Sequence, residues 1–265
     1  MNTTDQNYSV TEEYTPQHRL EITASSVIGT RKYQQDSYGS IETEQGALAL
    51  ICDGMGGLQG GEIASALAVR MMLEDYIRLK TEDIPAFLKR NVCEIDRRVY
   101  QLKDEYGRQL GAGSTLAAVH IKDGLMRWIS VGDSKIYVFR DNELHCIVRE
   151  HNYLLMLNEL YTSGQITIEQ YRHEQSDAEA LISYLGMGNV SLMDTEERPL
   201  RLLSGDIVLI CSDGLYKTLS DRQIEAVIKD NSFAFGRTAD VLTQEVMRKV
   251  RRSQDNTTVL LLKYI

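Results

Sequence analysis

Four aspartates share one local setting in this sequence. Asp53, Asp133, Asp213 and Asp255 each stand where an apolar, strand-like run begins or ends. Asp53 and Asp213 are followed by glycine, Asp255 by asparagine and Asp133 by serine. Taken singly, each is ordinary, because Asp-Gly and Asp-Asn are common turn pairs. Together they ask for more. If the strands stack into one core, their ends meet at one rim. Buried like charges there repel and shift in pKa unless a cation lies among them. Oxygen ligands alone select Mg2+, Mn2+ or Ca2+ over zinc. No His-x-x-x-His pair or cysteine cluster competes for that role, and His18, His120, His145, His151 and His173 are scattered, as structural or surface histidines are.

The stretch around Asp53 is the most organised. Ala47 to Cys52 is an apolar run that reads as a short buried strand ending at Asp53. Gly54, Gly56, Gly57, Gly60 and Gly61 follow, and a periodic helix begins at about Ile63. Glycine lets backbone approach a ligand closely, so carbonyls such as that of Gly54 are accessible beside the carboxylate. A nucleotide is the rival ligand for such a loop. The dinucleotide fingerprint fits at Gly54 and Gly56 but has Gln59 at its sixth position, and no Gly-Lys-Ser/Thr follows for a phosphate loop. The plainer rival is a glycine turn with no chemistry. Arg31 and Asp36 lie in a predicted loop, Gly29 to Ser40. A planar guanidinium beside a cation site suits a pair of phosphate oxygens; alone it reads as a surface arginine.

The elements that must position these groups are legible in outline. Strands are predicted over Leu20 to Ile28, Ser114 to Ile121, Leu125 to Val131, Lys135 to Arg140, Glu143 to Val148, Ile207 to Cys211 and Thr257 to Ile265. Asp123-Gly124 and Asp141-Asn142 are hairpin turns between neighbouring runs. Helices are predicted over Ile63 to Leu79, with Ile63, Leu67, Met71 or Met72 and Ile77 as its core stripe, and over Ile84 to Tyr106, with Pro85 in the first turn. Shorter helices fall at Tyr153 to Thr162, near Ile168 to His173 and at Ser220 to Lys229, and a longer one at about Phe233 to Arg251. Residues 149–194 are polar and irregular, long for a plain connection, and read as a flap beside the site.

Composition sets the bounds. The 265 residues are 43% hydrophobic and 25% charged, as a globular protein is, and carry a net charge of −9, which argues against nucleic acid or an anionic membrane as partner. No uncharged apolar run approaches a membrane span. Cys52, Cys93, Cys146 and Cys211 form no Cys-x-x-Cys pair, which points to reduced thiols and a cytoplasmic setting. Residues 1–18 are polar, lack the apolar core of a signal peptide and read as a tail, leaving residues 19–265 as one domain.

Six motifs occur in order: Arg31-Lys-Tyr-Gln-Gln-Asp36; Asp53-Gly-Met-Gly-Gly57 with Gly61-Glu62 and Ala64-Ser65; Gly113-Ser-Thr115; Val131-Gly-Asp-Ser134; Ser212-Asp-Gly-Leu215; and Asp255-Asn256 with Thr258-Val259. In this order they resemble the PPM-type, metal-dependent serine/threonine protein phosphatases, especially the compact bacterial ones. The resemblance implies an α+β fold, a four-layer α-β-β-α sandwich of two antiparallel sheets flanked by helices. It also implies hydrolysis of phosphoserine and phosphothreonine in proteins by a two-metal-activated water, with no covalent intermediate. Asp53 would bridge two Mn2+ or Mg2+ ions, the Gly54 carbonyl would bind one, and Asp213 and Asp255 the other. Asp133 would serve a weaker third ion, Arg31 the substrate phosphate, and Asp36 the waters behind the metals. Phosphorylated proteins, a serine/threonine kinase and its targets are the implied partners of a monomer. The sequence departs from the pattern at Gln34 for asparagine, at Lys135 for arginine, and at Met55, where many eukaryotic relatives carry a histidine held to be the general acid. The alternative is a catalytically silent member that binds a phosphoprotein or kinase as a scaffold.

Overall fold

The computed structural model describes residues 20–56, 60–79, 81–196, 198–249 and 253–265. The expected tail over residues 1–18, and Gln59 on which the dinucleotide comparison turned, lie outside the described residues. The strands are β1 (Leu20–Val27), β2 (Asp36–Thr43), β3 (Gly46–Met55), β4 (Gly113–Ser114), β5 (Leu116–Lys122), β6 (Leu125–Val131), β7 (Lys135–Arg140), β8 (Glu143–Cys146), β9 (Asp194–Thr195), β10 (Leu200–Arg201), β11 (Ile207–Cys211) and β12 (Thr257–Tyr264). The helices are α1 (Gly60–Ile77), α2 (Ile84–Tyr100), α3 (Tyr153–Thr162), α4 (Ile168–Glu174), α5 (Asp213–Tyr216), α6 (Asp221–Asp230) and α7 (Thr238–Arg248). One sheet has the order β1-β12-β11-β7-β8. The other runs β10-β6-β5-β3-β2, with β4 on β3 and β9 on β6. All pairs are antiparallel.

Side-chain alternation builds three apolar layers from these two sheets. In β3, Leu48, Leu50 and Cys52 face α1 and α2, meeting Ala64, Ala68, Met72, Phe87 and Val92. Ala49 and Ile51 face the other way and meet Val208, Ile210, Leu260 and Leu262 between the sheets. On the far side Leu209, Cys211 and Leu261 pack on Leu219, Ile224, Leu242 and Val246 of the second helical layer. The central strands β3, β5, β11 and β12 are therefore covered on both faces, which is why they carry long apolar runs. The expected four-layer α-β-β-α sandwich is what the chain forms. Both predicted hairpins turn through positive φ, with Asp123 at 52° and Gly124 at 70°, and Asp141 at 54° and Asn142 at 65°.

Several expectations need correction. Residues 29–40 are not all loop, because β2 starts at Asp36. β3 continues past Cys52 to Met55, so Asp53 lies within the strand and not at its end. The strand expected over Ser114 to Ile121 breaks at Thr115, and β8 stops at Cys146, short of Val148. α1 begins at Gly60, and its buried face is Ala64, Ala68, Met72 and Tyr76. Ile63 and Ile77, expected in its core stripe, are 43% and 60% exposed. The helix is apolar nearly all round, so hydropathy does not fix its phase; small side chains turn inward because they let it sit close to the sheet. α2 ends at Tyr100, not Tyr106, and Asp104 gathers the turn that follows by accepting from the backbone N–H groups of Tyr106 and Arg108, both at 2.9 Å. The long helix expected from Phe233 begins instead as a 3-10 turn over Ser232–Arg237, kinked at Ala234, before α7.

The segment 149–194 is closed at its base: Arg149 N donates to Asp194 Oδ2 at 2.7 Å. It carries α3, capped by Asn152, and α4, with a capping box at Thr167 and Gln170. Asp96 of α2 fastens its far end, accepting from the backbone N–H groups of Gly186, Gly188 and Val190 at 2.7, 3.0 and 3.0 Å.

Candidate active site

Antiparallel register delivers the acidic turns to one edge of each sheet. In the first sheet β11 ends at Cys211 opposite Lys135 and Val259, and Asp213 follows at the start of α5. β1 ends at Val27 opposite Thr257, which places Arg31 beyond one strand and Asp255 before the other. In the second sheet Asp36 pairs with Asp53, and Leu116 with Val131, after which comes Asp133.

Hydrogen bonds join the two edges. Ser212 Oγ and Thr258 Oγ1 both donate to Asp36 Oδ2 at 2.7 Å, and Thr258 N donates to Ser212 Oγ at 2.9 Å. Asp36, from one sheet, is thus held by β12 and by the turn after β11 in the other. The Asp53 peptide is fixed as firmly. Its N–H donates to Thr115 Oγ1 at 2.9 Å, and its carbonyl accepts from Thr115 N at 2.8 Å and Ser114 Oγ at 3.1 Å. The break between β4 and β5 is what turns Thr115 toward Asp53. Gly54 N donates to Gln35 O at 3.0 Å. A Cβ on Gly54 would lie 2.1 Å from Gly61 O, so this position is a glycine because α1 starts against it.

Asn256 organises the loop that carries Arg31. Its Oδ1 accepts from Gln35 N at 2.8 Å, and its Nδ2 donates to Ile28 O at 2.9 Å and Tyr33 O at 3.1 Å. Arg31 Nη2 then meets Asp255 Oδ2 at 2.6 Å, with about half of the arginine side chain still open to solvent.

The carboxylates sense one another. Asp53 keeps a partial opening to solvent at the rim. Its pKa is nonetheless held well above the carboxylate range, first by desolvation and then by the charges of Asp36, Asp213, Asp133 and Asp255. Asp36 is pushed up to about 6 by burial, against its bonds from Thr258 and Ser212, with Asp213 and Asp255 adding to the rise. Asp133 is pushed up to about 6 by burial and by Asp213, while Lys217 pulls the other way. Asp36 Oδ1 and Asp213 Oδ1 are buried without a hydrogen-bond partner. Hard oxygen donors, crowded like charges and orphaned carboxylate oxygens together fit divalent cations. The set is not closed as it stands: Asp255 turns to Arg31 and Asp213 to Lys217, and among the described residues no three acidic, histidine or cysteine side chains form a metal cluster.

Every sequence-predicted site residue, Arg31, Asp36, Asp53, Gly54, Asp133, Asp213 and Asp255, therefore comes to one rim, though Asp36 arrives on a strand. Four residues had no predicted role. Ser212 and Thr258 hold Asp36, Asn256 shapes the Arg31 loop, and Lys217 meets Asp213 and Asp133. The signal for the first two was a hydroxyl set within or beside an otherwise apolar strand. His151 is structural, its Nδ1 accepting from Gly132 N at 3.2 Å beside Asp133.

The model of the family described as Protein phosphatase 2C matches residues 25–254. The chain is 26% identical over 239 residues to the serine/threonine phosphatase stp of Listeria welshimeri, covering 88% of this chain and 91% of that one. Among solved structures, the Streptococcus agalactiae (S. agalactiae) serine/threonine phosphatase superposes with a TM-score of 0.78 at 27% identity, over 92% of this chain and 99% of the other. The catalytic domain of the serine/threonine protein phosphatase PstP, in complex with 2 manganese ions, gives 0.72 at 26%, over 93% and 98%.

Proposed function

The chain belongs to the protein phosphatase 2C family, as a serine/threonine protein phosphatase using two manganese or magnesium ions, and we propose that its catalytic centre is the acidic rim where the two sheets meet. The observation that supports this reading is the position of Asp53 on β3, paired with Asp36 and near enough to Asp213, Asp133 and Asp255 that burial first, and then their charges, raise its pKa. Asp53 and the Gly54 carbonyl lie on β3, Asp213 opens α5 just after β11, and Asp255 stands just before β12, so the ends of strands in both sheets would supply the ligand set. Two ions held there would supply a water of lowered pKa and positive charge to offset that of the phosphate.

The remaining work falls to the chain's own residues. Arg31 spends one N–H on Asp255, and its other guanidinium donors are directed to two oxygens of the substrate phosphate. Positioning and electrostatics supply most of the catalysis in phosphoryl transfer, which is why a rigid rim matters. Asp36 is anchored through Oδ2 and leaves Oδ1 to accept a proton from an attacking water. A cysteine nucleophile has no place in this scheme: Cys52 and Cys211 are fully buried, and burial pushes both thiols well up. Met55, which has no proton to give, leaves leaving-group protonation to solvent at the rim. Segment 149–194 stands beside the site as the flap that shapes substrate choice. A serine/threonine kinase and its targets are the partners of this reading, acting on a monomer in the cytoplasm. No helix among the described residues is long and apolar enough to cross a membrane, and the described cysteines form no disulfide.

Turnover of p-nitrophenyl phosphate in Mn2+ tests the assignment. Asp53→Ala and Asp213→Ala are expected to abolish it, EDTA to stop the wild type, and Arg31→Ala to raise KM and lower kcat/KM. Turnover retained by either aspartate variant refutes the ligand assignment. A correctly folded wild type with no Mn2+-dependent turnover would leave the scaffold reading in its place.

A further inference from the structure

We propose that Lys217 is a resident cation of this centre, occupying with its ammonium the space between Asp133 and Asp213 and excluding a third metal ion from it. One turn of helix places Lys217 on the same side as Asp213, and Nζ lies 2.9 Å from Asp213 Oδ2. The same nitrogen is 3.7 Å from Asp133 Oδ2 and 3.4 Å from Glu179 Oε2. The Asp213 contact is a hydrogen bond, and the other two are longer ion-pair contacts. The two site carboxylates are the more enclosed partners, with side chains 10% and 16% exposed against 37% for the lysine.

The backbone that carries Asp133 is held in place. Tyr216 OH donates to its carbonyl at 3.1 Å, and Gly132 before it is bonded in both directions to His151, N–H to Nδ1 and carbonyl to N–H. A third ion between Asp133 and Asp213 would stand against the ammonium, like charge against like charge. Asp213 Oδ1 has no hydrogen-bond partner and stays available to the pair of ions. Lys217 therefore divides the Asp213 carboxylate, one oxygen for the metal pair and one for itself. Asp133, expected from the resemblance to serve a third ion, faces a lysine instead. This proposal rests on the assignment of Asp213 to the metal centre.

Mn2+ binding to the whole, metal-stripped chain tests it, followed by calorimetry and by the electron paramagnetic resonance of free Mn2+. The wild type and Lys217→Arg are expected to bind two ions. Lys217→Met is expected to bind a third, at least about tenfold more tightly than the wild type does. Lys217→Asn serves as a second neutral variant should the methionine disturb folding. A third ion held equally by wild type and both neutral variants overturns the proposal and leaves the two-ion reading standing, as does a count of two in all of them. Two ions still bound by Asp53→Asn would overturn the underlying site assignment and the proposal with it.

Discussion

Replacing Asp36 by asparagine should make the metal-free protein more stable and the enzyme worse. Asp36 is 7% exposed, and burial leads the list of effects that push its pKa up to about 6. The unfolded value is about 3.9. A carboxyl whose pKa is higher folded than unfolded destabilises the fold when ionised. The penalty is absent well below pH 4, grows as pH rises from about 4 to 6, and is complete above that range. A rise of about two pKa units corresponds to about 3 kcal/mol at pH 7.5, with no screening to discount at a buried site. Asparagine keeps the shape, and its carbonyl oxygen can accept from Ser212 and Thr258 as Oδ2 does; its amide stands where Oδ1 has no partner, and that unmet donor offsets part of the gain. Urea unfolding in EDTA at a series of pH values measures the effect. Asp36→Asn should exceed the wild type by up to about 3 kcal/mol at pH 7.5, with the advantage lost toward pH 4. In Mn2+ the order of activities should be the reverse. A variant less stable than the wild type at pH 7.5 in EDTA, or a gap that does not change with pH, would refute the account of a centre strained by its own charge.

His120 and Asp96 give two further tests, both at a distance from the site. His120 Nε2 contacts Gln45 O at 2.7 Å while Nδ1 is buried without a partner, and desolvation lowers its pKa to about 4. A lowered folded value means that stability is intact above about pH 6.5 and is lost as pH falls toward 4, by up to about 3 kcal/mol; His120→Gln should flatten that acid limb in pH-dependent unfolding, and an unaltered limb would exclude the histidine as its source. Asp96→Ala strands the N–H groups of Gly186, Gly188 and Val190 and should cost about 3–5 kcal/mol in guanidinium unfolding. A loss below about 1 kcal/mol would show that this end of segment 149–194 is held by other contacts.

The central strands were legible because each is covered on both faces: Ile207–Cys211 is apolar throughout, and Leu116–Lys122 and Thr257–Tyr264 each carry an apolar run, Leu116–Val119 and Val259–Leu262. β2 was not, because it is an edge strand of sequence DSYGSIET, with polar residues and glycine where a core strand has Val or Ile. α1 was seen but misphased, since its inward face uses Ala64 and Ala68 while larger Ile63 and Ile77 point outward. The aspartates could be found because each sits beside an apolar run, a position hydropathy does reveal. Their supports could not. Ser212 and Thr258 reach Asp36 from 176 and 222 residues away, and although a hydroxyl in or beside an apolar run marks each of them, nothing local says which distant carboxylate it meets. Lys217 was invisible for another reason: a lysine four residues after an aspartate on a helix normally reads as an exposed ion pair, and only the approach of Asp133 makes it more.

The same enclosure accounts for both the cost and the use of this rim. Low dielectric raises the energy of an ionised carboxylate that lacks a counter-charge, and equally deepens its attraction for a cation that arrives. The hydrogen bonds from Ser212, Thr258, Thr115 and Asn256 do not neutralise the aspartates; they fix the backbone and one oxygen of Asp36, and leave other oxygens unpaired. What holds the rim against its own repulsion is the counter-charge of Arg31 on Asp255 and of Lys217 on Asp213, together with the apolar layer between the sheets where Ala49 and Ile51 meet Val208, Ile210, Leu260 and Leu262. Asp53 descends from one sheet, while Asp213 and Asp255 flank strands of the other, so the packing of the two sheets is what brings them to one rim. A catalytic centre at that rim would draw on this packing for the preorganisation on which electrostatic catalysis depends.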